Sequence, residues 1–130
     1  MRKILIDTNI YSSAFKGDPA VVKALRQVDH IGISAISIGE LLSGFKAGNR
    51  ESKNRTDLAE FLDSPRVFLH AVDENTAEYY GEILNRLKQQ GTPIPTNDIW
   101  IAASARQHGL ALFTLDKHFD SIPGMLLYQI

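Results

Sequence analysis

The sequence predicts an α/β domain with three layers, in which a mostly parallel sheet of five strands is flanked by helices. Short apolar runs that do not alternate with polar residues recur along the chain, as in strands buried on both faces. Amphipathic segments with helical periodicity separate these runs, which is typical of parallel strands joined by helical crossovers. Because the pattern continues over all 130 residues, we expect one domain, residues 1–130.

The first predicted strand, Lys3–Ile6, is followed directly by Asp7. An apolar run that stops at an acid and small polar residues indicates a buried strand ending at the edge of a sheet. Open α/β sheets bind their ligands beyond this carboxyl edge, so Asp7 is the reference point for the other acids. The remaining strands are predicted at residues 30–34, 67–72, 110–113 and 126–128.

The helices between these strands are recognised by their boundary residues. A short helix is expected over residues 10–15, and the longest predicted helix ends before Gly91. The helix after residue 96 is apolar nearly all round, so it should be well buried. Residues expected to cap or open helices are Asp18 with Pro19, Ser34 or Ser37, Asp73 and Thr96.

Composition excludes several classes of protein. Hydrophobic residues make up 44% and charged residues 22% of the chain, which is ordinary for a soluble globular domain. The absence of cysteine excludes disulfides and thiolate metal sites, and it fits a reducing cytoplasm. No apolar run approaches the roughly 20 residues of a membrane span, so we expect a cytoplasmic protein. A net charge of -1 provides no general attraction to nucleic acid.

Three acids occupy positions that a parallel sheet would bring to one edge. Asp7 and Asp116 follow predicted strands, and Asp98 lies in the first turn of a predicted helix. Taken singly, each has a structural explanation as a helix cap or as a favourable charge near a helix N-terminus. The ends of parallel strands and the starts of the following helices nevertheless lie at the same edge of the sheet.

Glu40 is predicted within a helix, on the side away from its apolar stripe. The stripe consists of Ile38, Leu41, Leu42 and Phe45. A solvated surface glutamate is one interpretation. The residues beside Glu40 are mostly small, which instead favours close approach by another group: Ile36, Gly39, Ser43, Gly44 and Ala47.

Four short motifs contain these acids. They are Ile6-Asp7-Thr8-Asn9, Ser37-Ile38-Gly39-Glu40-Leu41 with Gly44, Asn97-Asp98 at the start of an apolar helix, and Thr114-Leu115-Asp116 with Phe119. In this order and spacing they resemble the PIN-domain nucleases, most of all the small VapC-type toxins of bacterial toxin–antitoxin pairs. Each motif is loose, but the four together cover essentially the whole chain.

The resemblance implies a PIN-like five-stranded parallel sheet, a divalent-metal site and endoribonuclease activity. It assigns catalysis and metal binding to Asp7, Glu40, Asp98 and Asp116, and supporting roles to Thr8, Asn9 and Thr114. Some members have a further acid beyond the fourth, for which Asp120 is the candidate here. A small antitoxin partner and a homodimer are implied in the same way.

The chemistry of the acids is consistent with this resemblance. Four carboxylates cannot be crowded together in ionised form without a cation, because like charges raise one another's pKa. Oxygen ligands without cysteine or an obvious histidine pair suit Mg²⁺ or Mn²⁺ better than Zn²⁺. A metal of this kind can promote hydrolysis of an RNA phosphodiester.

Basic residues and histidines complete the set of candidates. The densest basic segment provides possible phosphate contacts, although a solvated helix surface explains it equally well: Lys46, Arg50, Lys53 and Arg55. The four histidines are scattered along the chain and are interpreted as surface or strand-end residues: His30, His70, His108 and His118.

Two other functions are compatible with parts of the sequence. A receiver-like signalling module also has an acidic Mg²⁺ pocket, and Asp73 and Lys117 fit that alternative. It would need paired acids after the first strand, however, and it leaves Glu40 and Asp98 without a role. The other alternative is a PIN scaffold that acts by binding only, and RNA digestion with Mn²⁺ or with EDTA separates all three.

Overall fold

The computed structural model describes residues 2–130 and confirms the α/β architecture. The parallel sheet has the order β3-β2-β1-β4. Its strands are β1 (Lys3–Ile6), β2 (His30–Ser34), β3 (Val67–His70) and β4 (Ala111–Phe113). The helices are α1 (Thr8–Phe15), α2 (Pro19–Arg26), α3 (Ala35–Ala47), α4 (Glu51–Leu62), α5 (Glu74–Gln90) and α6 (Thr96–Gln107).

Strand β1 lies in the interior of the sheet and determines where the acids meet. It pairs in parallel with β2 on one side and β4 on the other, with Ile6 opposite Ile33 and Phe113. Residues that follow β1 and β4 therefore emerge next to each other at the carboxyl edge. This pairing places Asp7 and the segment after Phe113 within reach of each other.

Strand β1 is buried on both faces, as its non-alternating apolar run predicts, whereas Phe68 and Leu69 of the edge strand β3 are exposed. Ile4 and Ile6 of β1 pack into a cluster with residues of α1 to α4. Leu5 points to the opposite face and packs with residues of α5 and α6. Each of these fully buried side chains contributes about 1.5–3 kcal/mol relative to an exposed one. The two cores hold β1 in place from both sides.

The fifth predicted strand is reduced to a single bridge between Leu127 and Leu112. The Leu112 amide donates to the Leu126 carbonyl at 2.8 Å, and the Tyr128 amide donates to the Leu112 carbonyl at 2.9 Å. Because β4 has only three residues, few of its backbone groups can pair with a fifth strand. The sheet therefore has four strands, where the sequence predicted five.

Several predicted boundaries shift by one or two residues. Helix α1 begins at Thr8 because the Asp7 side chain accepts from the Ile10 amide. Strand β3 ends at His70, since the following residues lead to the Asp73 cap of α5. Thr96 was predicted to cap α6 and does not, because it is already helical and no side chain caps that helix. No helix within residues 2–130 combines the length and the apolar character needed to cross a membrane.

Candidate metal centre

Asp7 lies at the carboxyl end of β1 and is held by two hydrogen bonds. Its Oδ1 accepts from the Ile10 amide at 2.9 Å, and its Oδ2 accepts from the Thr114 hydroxyl at 2.5 Å. Only 4% of its surface is exposed. Asp7 is thus both the cap of α1 and a fixed, buried carboxylate, so the capping explanation and the functional one are compatible.

Asp98 and Asp116 meet directly, together with a histidine. His118 Nδ1 lies 3.1 Å from Asp98 Oδ2 and 3.2 Å from Asp116 Oδ1. One ligand atom from each of the three residues lies within 4.8 Å of the other two. Helix α6 supplies Asp98 in its first turn, and the 3₁₀ turn Lys117–Ser121 supplies His118.

Glu40 joins the same edge from α3. Its Oε1 accepts from the Thr8 hydroxyl at 2.5 Å, and its Oε2 accepts from the Asn97 amide at 3.2 Å. A depression of about 510 Å³ opens beside it. Small residues line part of this depression, and a Cβ at Gly39 would meet nothing within 4 Å. The small neighbours predicted around Glu40 therefore leave open space next to a carboxylate.

Thr114 connects the acids of β1 and β4. Its hydroxyl accepts from the Asp116 amide at 2.9 Å while donating to Asp7. Thr8, directly after Asp7, makes the corresponding link to Glu40. These two hydroxyls orient carboxylates from different elements, as supporting groups around metal ligands commonly do.

Burial raises the pKa of two of the acids. For Asp7, desolvation is the main cause of the raised pKa, and the charges of Asp98 and Asp116 add to it. Desolvation also raises the pKa of Asp98, with further contributions from Asp116 and Glu40. Hydrogen bonds from Thr114 and His118 act in the opposite direction. A bound cation would compensate for the cost of keeping these carboxylates ionised.

The arrangement fits a divalent cation. Asp98 Oδ1 and Asp116 Oδ2 accept no hydrogen bond from residues 2–130, so their lone pairs are available. Oxygen atoms of Asp7 and Glu40 approach from the same edge of the sheet, each already oriented by a hydrogen bond. Carboxylate oxygens are the ligands that hard divalent cations prefer.

Some predicted residues lie outside this network. Asn9 is exposed, and its side chain makes no hydrogen bond within residues 2–130. Asp120 is exposed on the 3₁₀ turn and does not belong to the group formed by Asp98, Asp116 and His118. Neither residue has a structural role that supports its assignment to the site.

The basic segment spans the end of α3 and the first half of α4, and most of its charges are paired. Lys46 and Arg55 lie 3.2 and 3.4 Å from Glu51. Lys53 lies 3.2 Å from Asp57. Arg50, at the N-cap of α4, makes no ion pair within residues 2–130. Exposed ion pairs of this kind contribute little to stability. Phosphate binding by the basic segment stays a prediction.

Sequence reasoning missed two residues of the network. Asn97 was noted only as part of a motif, yet it bonds to Glu40. His118 is predicted to be a surface or strand-end residue, yet it contacts two of the four acids. Its spacing of two residues from Asp116 was the available signal, because a tight turn brings such neighbours together.

The other three histidines are distant in sequence but come together in the fold, where His30 begins β2 and His70 ends β3, as the strand-end interpretation predicts. His30 Nε2 lies 3.4 Å from His70 Nε2, and the His70 ring stacks on His108 with centroids 4.1 Å apart. We call His30, His70 and His108 the histidine stack. A Cβ at Gly32 would lie 2.9 Å from His70 Cδ2, so this glycine makes room for the ring.

The stack disfavours positive charge. Burial is the largest cause that lowers the pKa of His70 to about 4, and the charges of His108 and His30 add to it. Burial, Lys3 and His108 also lower the pKa of His30. Both rings are therefore neutral at pH 7.

Asp73, which kept a receiver-like alternative open, is used as a helix cap. Its Oδ1 accepts from the Thr76 amide at 3.0 Å and from the Gln107 side chain at 3.2 Å. These hydrogen bonds lower its pKa. Gln107 is the last residue of α6, whereas Asp98 lies in its first turn. Asp73 is therefore at the other end of the helix from the acids.

The comparison with protein families agrees with this geometry. Residues 4–125 match the family described as the PIN domain. The chain belongs to the PIN-domain family. It is 35% identical to "Ribonuclease VapC1" of Haemophilus influenzae (strain R2866), with 91% of this chain and 90% of that protein covered. It is 28% identical to "tRNA(fMet)-specific endonuclease VapC" of Shigella flexneri, with 96% of each chain covered.

Solved structures of VapBC assemblies superpose closely on this chain. A VapBC2 structure from Rickettsia felis, bound to a DNA fragment from its promoter, has a TM-score of 0.86 and 29% identity, with 96% of each chain covered. A DNA-bound VapBC structure from Salmonella typhimurium has a TM-score of 0.87 and 27% identity, with 98% of each chain covered. PIN-domain nucleases generally depend on divalent metals, and the acidic cluster of this chain is in keeping with that property.

Proposed function

We propose that this PIN domain, taken as a single unit over residues 1–130, is a VapC-type endoribonuclease that hydrolyses RNA with Mg²⁺ or Mn²⁺. One observation carries the proposal: Asp98 and Asp116 meet at the sheet edge where hydrogen bonds also hold Asp7 and Glu40. The curated relatives are named as ribonucleases and share the length of this chain. A receiver-like role loses the aspartate after its third strand, because Asp73 bonds to Gln107 at the other end of α6 from the acids.

In this proposal Asp7, Glu40, Asp98 and Asp116 hold the cation, and Asp7 and Glu40 are oriented by hydrogen bonds from neighbouring side chains. When bound, such a cation activates a water and neutralises charge that develops on the phosphodiester. The carboxylates must be oriented toward the metal position before the ion binds. Thr114 and Thr8 perform this function by donating to Asp7 and Glu40, while Asn97 fixes the second oxygen of Glu40. This preorganisation lowers the cost of assembling the site.

The depression beside Glu40 provides room for the RNA backbone. Its lining includes backbone and small side chains of α3 together with Asn97. A phosphodiester lying there would be next to the acids without displacing a bulky side chain. The basic segment Lys46, Arg50, Lys53 and Arg55 is the proposed source of additional phosphate contacts.

The proposed biological setting is that of a toxin with a small antitoxin partner. The solved neighbours include VapBC assemblies and a "Toxin-antitoxin complex from Klebsiella pneumoniae". Homodimerisation belongs to the same proposal and has no separate support within residues 2–130. A toxin that cuts RNA would act in the cytoplasm, where its substrates are.

Digestion of RNA by the purified protein tests the reaction. We expect cleavage with Mg²⁺ or Mn²⁺, none with EDTA, and recovery when excess metal is restored. Asp7→Asn, Glu40→Gln, Asp98→Asn and Asp116→Asn should each lower the cleavage rate by about 100-fold or more, because each removes a charged ligand. Wild-type rates in Asp98→Asn would contradict the site.

A matched acid serves as the control. Asp120 lies on the same turn as His118 but outside the network, so Asp120→Asn should retain cleavage within about threefold of wild type, as expected for a substitution away from the chemistry. Binding of RNA by wild type without cleavage under any metal condition would favour the alternative in which the scaffold only binds.

A further inference from the structure

An imidazole stands among the acids of the metal centre. His118 Nδ1 lies 3.1 Å from Asp98 Oδ2 and 3.2 Å from Asp116 Oδ1. Within residues 2–130, these three residues form the one group of acidic, histidine or cysteine side chains whose ligand atoms all meet within 4.8 Å. The densest set of possible ligands therefore contains one nitrogen.

The backbone holds this nitrogen in place. The His118 amide donates to Asp116 Oδ1 at 2.9 Å, which closes the tight turn after Asp116. Phe119, the next residue, is 1% exposed and anchors the turn in the core beneath α5 and α6. From this anchored turn the half-exposed His118 side chain places Nδ1 beside both acids. Its approach to Asp98 and Asp116 is thus built into the fold.

One hydrogen atom does not satisfy this contact. A proton on Nδ1 can be donated fully to one acceptor, whereas two carboxylate oxygens approach the same nitrogen. One ligand atom from each of the three residues lies within 4.8 Å of the other two, so a single cation could contact all three.

We propose that His118 Nδ1 is a direct ligand of the cation, beside Asp98 and Asp116, and that it makes the centre selective for Mn²⁺ over Mg²⁺. This inference rests on the proposed function and names the metal chemistry of that site. Mg²⁺ binds oxygen ligands and holds its waters, whereas imidazole suits transition metals. A centre with oxygen ligands alone would lack this basis for discrimination.

Pulsed electron paramagnetic resonance of the Mn²⁺-loaded wild-type protein tests the ligand directly. A coordinated imidazole produces modulation of the Mn²⁺ echo by ¹⁴N, and labelling the protein with ¹⁵N-histidine should change it to the ¹⁵N pattern. This measurement requires no variant, so it does not depend on whether a substitution is tolerated. Bound Mn²⁺ without nitrogen coupling would overturn the proposal.

Equilibrium binding of Mn²⁺ and Mg²⁺ tests the selectivity. His118→Ala should lower the preference for Mn²⁺ by about tenfold, equivalent to about 1.4 kcal/mol. His118→Asp, which replaces nitrogen with oxygen, should strengthen Mg²⁺ binding relative to the alanine variant. His108→Ala is the matched control, since His108 lies at the other end of α6, and it should leave both affinities unchanged. An unchanged Mn²⁺ preference in His118→Ala would contradict the role of the ligand.

The experiments distinguish failure of the His118 ligand from failure of the proposed nuclease function. Metal-dependent cleavage without nitrogen coupling leaves the nuclease intact and removes His118 from the ion. Absence of metal binding and of RNA cleavage removes the proposed function, and the ligand assignment with it.

Discussion

Titratable groups of opposite kinds lie at the two ends of α6, acids at its start and histidines at its end. Asp98 in its first turn belongs to the acid centre, which also contains Asp7, Glu40 and Asp116. His108 follows its last turn and belongs to the histidine stack with His30 and His70. About ten residues of helix, or roughly 15 Å, separate the two regions.

Burial opposes charge in both regions, but the surroundings differ. It raises the pKa of Asp7 and Asp98 and lowers the pKa of His30 and His70. At the acid centre, neutral donors hold the carboxylates in position. The only hydrogen bond of the stack joins two of its own rings, within residues 2–130. Burial therefore does not distinguish the two regions, whereas the oriented donors and the carboxylate lone pairs left unpaired within residues 2–130 do, and these support the proposed metal site.

The largest expected difference between the two regions is their effect on stabilisation of the protein by Mn²⁺. Mn²⁺ at about 100 times its dissociation constant should stabilise the wild-type protein by about 2.7 kcal/mol, because it binds the native state. Thermal melting with and without EDTA measures this shift. Asp116→Asn should reduce it, whereas His70→Phe should retain it. An equal shift in all three proteins would place the ion away from the acids.

Gly32→Ala should damage the stack and leave the acid centre unaffected. The added Cβ would come within 2.9 Å of the His70 ring, and overpacking of this kind costs about 1–3 kcal/mol. Urea denaturation measures the loss. A second substitution, His70→Ala, should recover part of it, and the two effects should not be additive. Full additivity would show that the ring is not what the methyl group meets.

Acidification should affect the two regions in opposite directions. The folded pKa of His70 is about 4, whereas an unfolded histidine titrates near about 6.5. The unfolded chain therefore binds this proton first, and the stack loses stability as pH falls through that window, by about 1 kcal/mol at pH 5 after allowance for solvent screening. The raised pKa of Asp7 and Asp98 has the reverse sign, because the folded state then binds protons first and gains stability.

Urea denaturation in EDTA at pH 7 and pH 5 separates these contributions. His70→Phe should reduce the acid-induced loss, and the part that remains includes His30, whose pKa is also lowered by burial. Asp98→Asn should show a steeper loss than wild type, and at pH 7 it should be more stable by about 0.5–1 kcal/mol, typical of relieved strain at a functional site. Identical pH dependence in wild type and His70→Phe would contradict the lowered pKa.

The basic segment should give the smallest effect. Replacing Lys46, Arg50, Lys53 and Arg55 with glutamine should weaken RNA binding and flatten its dependence on salt. Three of the four are already paired with acids. We therefore expect the RNA affinity to fall by no more than about tenfold at low salt. Filter binding across a range of KCl concentrations measures the slope. An unchanged dependence of RNA affinity on salt would show that these residues do not contact phosphates.

Local patterns determined most of the architecture. Apolar runs of three or four residues predicted β1 to β4, and the Asp73 cap and the Gly91 stop predicted the longest helix correctly. These features depend on backbone preferences and burial within a few residues, which a sequence displays directly. The Thr96 cap failed because a polar residue before an apolar run can be the first helical residue as well as the cap.

Local sequence patterns did not predict contacts between segments that are distant in sequence. Order and spacing pointed to four candidate acids, but the pairing of Glu40 with Asn97 depends on how α3 packs beside α6. His118 entered the centre, and three histidines from three elements formed a stack, because parallel strands and one helix brought them together. The chain itself determined its strands, its helices and its acids. Packing decided which neighbours surround each acid, since a side chain's environment is set by residues far away in sequence.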